Sequence, residues 1–269
     1  MSPFQYYRAG DVADAVARLV ADPDARLLAG GMTLLPAMKH RLASPTQLVD
    51  VSRVAALRGI HVEAARVTVG AATRHVELAD DARLGAALPA LSALAQAIGD
   101  PQVRARGTLG GSLANNDPAA DHPAAALALA AELRTDRRAI AADEFFQGMF
   151  TTALDPAEVL VAVSFRVPRR AAYEKFAHPA SGYAMAGVFV ADHGEGDVRV
   201  AVTGAGPGVF RWGEAERALA ARFVPQVFDD MALSPDELNS DLHAPAAYRA
   251  HLAGLMARRA VARIIGSGR

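Results

Sequence analysis

Apolar residues at 12, 15, 16, 19 and 20 recur at helical spacing behind Asp11, so residues 11–21 predict an amphipathic helix that ends near Asp22-Pro23. The pattern shortens at Arg26-Leu27-Leu28-Ala29, breaks at Gly30-Gly31, and resumes helical spacing over Thr33-Leu34-Leu35-Pro36-Ala37-Met38-Lys39: strand, glycine turn, helix. Leu48-Val49-Asp50-Val51 and Arg66-Val67-Thr68-Val69-Gly70 read as strands, the second by alternation and β-branching. Residues 84–98 are rich in alanine and leucine and stop at Gly99-Asp100-Pro101, which predicts one buried helix. Residues 107–121 collect small, turn-forming residues and predict a loop; 124–133 return to an apolar helical segment. An apolar strand over 159–167 is interrupted by Pro168-Arg169-Arg170, which sets the expected boundary between domains at 1–168 and 169–269. Beyond it, residues 184–191 and 198–203 predict a hairpin around His193-Gly194-Glu195-Gly196-Asp197, and residues 214–222 and 245–265 predict helices. The whole is α+β.

A chain of 269 residues with 52% hydrophobic and 21% charged residues is long enough for two cores and unlike a disordered segment. With 28 basic against 29 acidic residues it carries no basic footprint, so nucleic acid is excluded as an expected partner. The absence of cysteine excludes disulfides, thiolate-ligated iron–sulfur clusters and cysteine nucleophiles within the chain. The N-terminus lacks the pattern of a signal peptide and no apolar stretch reaches the ~20 residues of a membrane span, which together point to a cytoplasmic protein. The eight histidines show no metal-ligand spacing, so surface or packing roles are expected of them. Ser112 lacks the Gly-x-Ser-x-Gly setting of a hydrolase nucleophile.

Two glycine clusters carry the candidate chemistry. Glycine lets a backbone approach a ligand closely, and successive N–H groups in such turns cradle anions. Ala29-Gly30-Gly31-Met32-Thr33 suits a phosphate-contacting turn after a strand, yet lacks the Rossmann and P-loop fingerprints. A tight strand-to-helix turn explains it equally well. Gly110-Gly111, beside the hydroxyls of Thr108 and Ser112, adds a second such turn and makes a two-sided clamp on a diphosphate the sharper reading.

At these residues the chain resembles the FAD-binding medium subunits of the molybdenum hydroxylase family, of the carbon monoxide dehydrogenase and xanthine dehydrogenase type. The resemblance rests on Leu28-Ala29-Gly30-Gly31-Met32-Thr33-Leu34-Leu35-Pro36 and on Arg106-Gly107-Thr108-Leu109-Gly110-Gly111-Ser112 through Asp117-Pro118-Ala119-Ala120-Asp121. It continues through Leu154-Asp155-Pro156-Ala157-Glu158-Val159-Leu160, Glu174-Lys175-Phe176, Gly182-Tyr183-Ala184, Thr203-Gly204-Ala205-Gly206-Pro207 and Ser240-Asp241-Leu242-His243, nearly the whole chain.

The resemblance implies a vanillyl-alcohol-oxidase-type FAD-binding domain of two α/β subdomains, followed by a small C-terminal domain with an antiparallel sheet and helices. It implies that Ala29, Gly30, Gly31, Met32 and Thr33, with Thr108, Leu109, Gly110, Gly111, Ser112 and Asn115, form the cofactor loops. Asp121 matches a carboxylate that binds a sugar hydroxyl of FAD; read on its own it is a helix N-cap before Pro123, and the two roles are compatible. Val159 and Leu160 match a segment along the isoalloxazine, Lys175 a basic residue near the flavin, and Tyr183 a tyrosine beside its face. Met32-Thr33 departs from the His-Ser common in the first loop, and His178-Pro179-Ala180-Ser181 stands where charges are more usual. The implied activity is electron relay: FAD here takes electrons from iron–sulfur clusters of a small subunit and passes them to an external acceptor. A large molybdenum-cofactor subunit would hydroxylate the substrate, and no residue of this chain is expected to be catalytic. The rival readings are a self-sufficient FAD oxidase of a small molecule and a non-catalytic assembly protein.

Overall fold

The computed structural model describes residues 1–266. The chain opens with β1 (Gln5–Arg8), α1 (Val12–Ala21), β2 (Arg26–Leu28), α2 (Leu34–Lys39) and β3 (Gln47–Asp50), whose strands form a three-stranded parallel sheet in the order β1-β3-β2. Helix α1 begins where the sequence predicts, with the Asp11 carboxylate accepting the Asp14 N–H at 2.8 Å. Its buried Ala15 packs with Val49, Val51, Val54 and Leu57 into a small core. Strand β1 was not anticipated. As an edge strand with its side chains largely exposed, it carries no alternation to read.

The middle of the chain contains β4 (Ile60–Val62), β5 (Arg66–Gly70), α3 (His75–Asp80), α4 (Ala82–Ala87), α5 (Pro89–Gln96), α6 (Pro101–Arg106), α7 (Leu109–Asn115) and α8 (His122–Ala128). It continues with β6 (Glu132–Thr135), β7 (Ala139–Ala141), α9 (Ala142–Phe145), β8 (Phe146–Gly148), β9 (Thr151–Thr152) and β10 (Leu160–Arg166). Five of these strands form an antiparallel sheet in the order β4-β5-β10-β6-β7.

Three expectations for this stretch need correction. The single helix over 84–98 is two, because Pro89 has no N–H to continue α4 and Leu88 adopts φ −144°, ψ 65°. The loop over 107–121 contains α7, which Thr108 caps by accepting the Gly111 N–H. The helix over 124–133 stops at Ala128: the Ala131 N–H bonds to Ala126 O at 2.9 Å, Ala130 takes φ 45°, and the chain turns into β6.

The last part comprises β11 (Arg170–Ala177), β12 (Ala184–Asp192), β13 (Val198–Thr203), β14 (Phe210–Arg211), α10 (Gly213–Ala221) and α11 (Ala246–Gly266), with the strands antiparallel in sequence order. The β12–β13 hairpin is the one predicted. Every residue of β12 is buried because the sheet is covered on both faces. Phe189, Ala191 and Ala201 join the core that contains α5, α8 and the five-stranded sheet, whereas Ala186, Val188, Val190, Val200 and Val202 pack with Met256, Ala257, Ala260 and Val261 of α11. The first of these cores therefore runs across residue 168.

Phe189 is fully buried at that junction. Phe189→Ala is expected to cost about 3–5 kcal/mol and to lower one shared thermal transition in calorimetry. A variant scan with two separated transitions would contradict the shared core.

Candidate functional site

A cleft of about 670 Å³ lies where the turn after β2, the start of α7, the segment before β10 and the β11–β12 turn converge. Its size suits a cofactor-sized ligand. Of the residues expected at the site, Ala29, Gly30, Gly31, Met32, Thr33, Thr108, Gly110, Gly111, Ser112, Asn115, Asp121, Val159, Leu160 and Tyr183 all line it. Leu109 does not; it is fully buried in the core beneath. Lys175 does not line it either, and stands behind Asp121.

The two glycine turns differ in what they offer a ligand. In the first, Gly31 takes φ 73°, a left-handed conformation that glycine adopts without strain, and its carbonyl accepts the Leu35 N–H that starts α2. Among the described residues, the amides of Gly30, Gly31, Met32 and Thr33 have no protein acceptor. They are a run of open donors in the cleft wall. In the second turn the Leu109 N–H bonds to Thr73 O at 3.0 Å, Gly110 N–H to Ala71 O at 2.8 Å, Gly111 N–H to Thr108 Oγ1 at 3.2 Å and Ser112 N–H to Thr108 O at 3.0 Å. Those amides are committed, so this side presents the Ser112 hydroxyl and the Asn115 amide instead.

The glycines themselves divide in the same way. A Cβ on Gly30 would run into the carbonyl of Arg106 and come within 2.8 Å of Gly107 Cα, so the two turns touch backbone to backbone. A Cβ on Gly110 would lie 2.5 Å from Ala71 Cβ. Internal packing thus demands glycine at both positions. At Gly111 a Cβ would meet only Thr108 Oγ1, at 2.8 Å, and otherwise open space.

Asp121 is the buried anion of the site. Its side chain makes no helix cap; it accepts from the Tyr173 hydroxyl and from Lys175 Nζ at 3.1 Å, and Lys175 also donates to Gly182 O at 3.0 Å. Burial pushes the Asp121 carboxyl above its ordinary range against the pull of Lys175 and Tyr173. Burial, with the Asp121 charge, also holds the Tyr173 proton on well above the ordinary phenol range. Tyr183 stands half-exposed at the mouth, its phenol raised by burial and by the charges of Asp117 and Asp121. The divergent turn after β11 sits beside it: Ala180 and Ser181 line the cleft, and His178 Nε2 lies 3.2 Å from His243 Nδ1.

Val159 and Leu160 are positioned by Glu158, which the sequence offered no reason to single out. Its carboxylate accepts from Thr135 Oγ1 (2.7 Å), Arg138 Nε (3.0 Å), Arg138 Nη2 (2.9 Å) and the Asp155 N–H (2.8 Å). The Asp136 carboxylate takes the Val159 N–H at 2.7 Å. His75 was also missed as a wall residue: its nearest polar partner, His122, is remote in sequence and left no local signal. No cluster of three metal-ligating side chains occurs among the described residues, and none of their helices is long and apolar enough to cross a membrane.

The donors and apolar surfaces of this cleft suit a ligand that carries both phosphate and a flat apolar ring. A family model described as the FAD binding domain in molybdopterin dehydrogenase matches residues 2–169. The carbon monoxide dehydrogenase medium chain of Hydrogenophaga pseudoflava is 38% identical over 276 residues, covering 96% of each chain. The nicotine 6-hydroxylase medium subunit of Paenarthrobacter nicotinovorans is 32% identical over 281 residues, covering 96% of this chain and 95% of that one. A chain of the solved carbon monoxide dehydrogenase from Hydrogenophaga pseudoflava superposes with a TM-score of 0.89 at 35% identity over 99% of both.

The Arg138 hydrogen bonds, with those from Asp155 and Thr135, hold the Glu158 carboxyl at about 2 against an ordinary 4.5. A carboxyl depressed on folding stabilises the native state above its unfolded value, and that stabilisation is lost as pH falls through the folded one. Glu158→Gln is therefore expected to cost about 1.5–3 kcal/mol at neutral pH. The gap to the parent should close between pH 4.5 and about 2, as read by urea unfolding over a pH series. A gap independent of pH would contradict the assignment.

Proposed function

Because the chain belongs to the family of FAD-binding domains of molybdopterin dehydrogenases, as a medium subunit of the molybdenum hydroxylase type, we propose that it works as an electron relay. It takes electrons from iron–sulfur clusters of a small subunit and delivers them to an external acceptor, while a large molybdenum-cofactor subunit oxidises the organic substrate. The fold is the α+β FAD-binding type of vanillyl-alcohol oxidase, and the chain is an oxidoreductase subunit.

One observation favours relay over substrate chemistry: each carboxylate in the cleft wall is committed to another protein group. Asp121 is tied to Tyr173 and Lys175, and Glu158 to Arg138 and Thr135. Asp100 caps α6 through the Val103 N–H, and Asp117 holds the Ala119 N–H. The two buried ones are each held by a cation and a hydroxyl, and the other two each keep one oxygen in a cap or turn, so none stands as an uncommitted general base. The chain also has no cysteine with which to hold a thiolate-ligated cluster, so any such cluster that feeds the flavin lies on another subunit.

Bound FAD supplies one-electron exchange with a cluster and two-electron exchange with an acceptor. The chain's part is to hold and orient it. The open amides of Gly30, Gly31, Met32 and Thr33 take the diphosphate, with Ser112 and Asn115 facing them from α7. Val159 and Leu160 flank the ring, Asp121 accepts from a sugar hydroxyl, and Tyr183 covers the mouth. Residues 1–168 then form the FAD-binding part, and residues 169–269 the part that braces it through Tyr173 and Lys175.

The open setting of Gly111 separates ligand loss from fold loss. Gly111→Val should drop the flavin-to-protein ratio while far-UV circular dichroism stays near that of the parent, whereas Gly110→Val should lose stability as well. Full flavin occupancy in Gly111→Val would remove the second turn from the site.

Electron flow is tested anaerobically by the absorbance of the flavin band. The assembled complex should bleach on addition of its organic substrate. The isolated chain should bleach with dithionite only, and a complex stripped of its clusters should retain FAD without bleaching. Bleaching of the isolated chain by organic substrate would replace the relay with a self-sufficient oxidase.

A further inference from the structure

Two imidazoles beneath the cleft play no part in the relay described above. His75 is the first residue of α3; its backbone N–H bonds to Gly107 O at 2.9 Å, and its ring lines the cleft. His122, the first residue of α8, is fully buried. His122 Nε2 lies 3.2 Å from His75 Nδ1, with ring centroids 5.0 Å apart. Burial pushes His75 down to about 4 and His122 well below its ordinary value, so both rings are neutral at pH 7.

A neutral imidazole has one N–H and one bare nitrogen, so a hydrogen bond between these two atoms leaves two arrangements. If His75 Nδ1–H donates, His122 must carry its proton on Nδ1, a fully buried atom with no partner among the described residues. An orphaned buried N–H is the rarer defect, since its lost water bond has no substitute. If His122 Nε2–H donates, His122 Nδ1 is a bare lone pair and no buried N–H is left without an acceptor. The second arrangement puts the His75 proton on Nε2. That atom has no protein partner among the described residues and stands at the cleft wall beside Gly107, where a Cβ would approach it to 2.7 Å.

We propose that His75 Nε2–H is a fixed hydrogen-bond donor to an acceptor atom of the bound flavin dinucleotide, and that His122 is the positioning residue that sets its tautomer. The proposal rests on the FAD reading above and adds to it a side-chain donor at the cleft wall beside Gly107. His122 acts only through His75, so its effect should depend on whether a replacement can donate to His75 Nδ1.

The test uses the full chain, stripped of flavin and then titrated with FAD. Long-range proton–nitrogen spectra of the histidine rings in the apo chain should show both Nε2 atoms protonated and both Nδ1 atoms bare. Added FAD should shift the His75 Nε2 signal and slow the exchange of its proton. By fluorescence titration, His75→Phe should weaken FAD binding about tenfold, the equivalent of one hydrogen bond. His122→Leu should also weaken it, and His122→Gln, whose amide can still donate to His75 Nδ1, should restore most of the loss. A proton on His75 Nδ1, or parent-like affinity in a folded His75→Phe chain, would overturn the proposal. Failure of the parent chain to bind FAD at all would instead overturn the cofactor reading. If a variant does not fold, the tautomer spectra of the parent decide alone.

Discussion

Backbone pressed on backbone makes the cleft. Gly30 rests on the Arg106 carbonyl and Gly107, which joins the turn after β2 to the segment that leads into α7, and Gly110 rests on Ala71 just past β5. A Cβ at Gly30 would hold the two turns apart, and one at Gly110 would lift α7 off Ala71. This contact explains why the second turn spends its amides on Thr73, Ala71 and Thr108: it is fastened to the end of β5 and serves as a wall. The first turn rests instead on Arg106 and Gly107, with its amides left open. Rigid donors need no reorganisation when an anion arrives, which is what makes a preformed cradle effective.

The last sheet completes the site from the other side. Strand β11 carries Tyr173 and Lys175 into contact with Asp121, and the turn after it carries Gly182 and Tyr183 to the mouth. A strand can hold two such groups steady only if it is itself immobile, and β11 is paired along its length with β12, which is buried on both faces. Packing of α11 on the far face therefore supports a hydrogen-bond network on the near one.

Elements with a regular apolar pattern were legible in the sequence: α1 behind Asp11 and β5 with its alternation, each with one buried face, and the β12–β13 hairpin, whose apolar runs flank a glycine-rich turn. Elements defined by a partner were not. Strand β1 is largely exposed, the strands β6 to β9 are too short to establish a period, and α7 is a short helix rich in glycine and small residues whose cap, Thr108, also suits a turn. The glycine loops and their family likeness located the cleft, because close approach demands a particular residue type. The His75–His122 contact and the clamp on Glu158 join residues far apart in the chain through ordinary polar side chains, and no local pattern encodes such meetings. The assignment of Asp121 as a possible helix cap failed for a related reason: a cap is a local interaction, and the side chain turned instead to a strand that begins at residue 170.

The charge of Lys175 has to be weighed with that geometry. Alone, an ammonium about 6 Å from a flavin ring would interact with a charge on it by about 3 kcal/mol at an effective dielectric of about 20. With the carboxylate at that distance and the ammonium about 3 Å behind it on the same line, the two nearly cancel and leave about 1 kcal/mol of the carboxylate's sign. Asp121 lies 3.1 Å from Lys175 Nζ, and of the two it is Asp121 that faces the cleft, so the nearer charge is negative. The pair therefore offers the ligand an acceptor and little positive potential, which suits a hydroxyl better than an anionic ring. Positive potential in the cleft comes instead from the open amides of residues 30–33 and from Arg26, which also lines the wall. A ligand that satisfies both has phosphate at one place and a hydroxyl donor at another, and a sugar-linked dinucleotide carries the two on one framework.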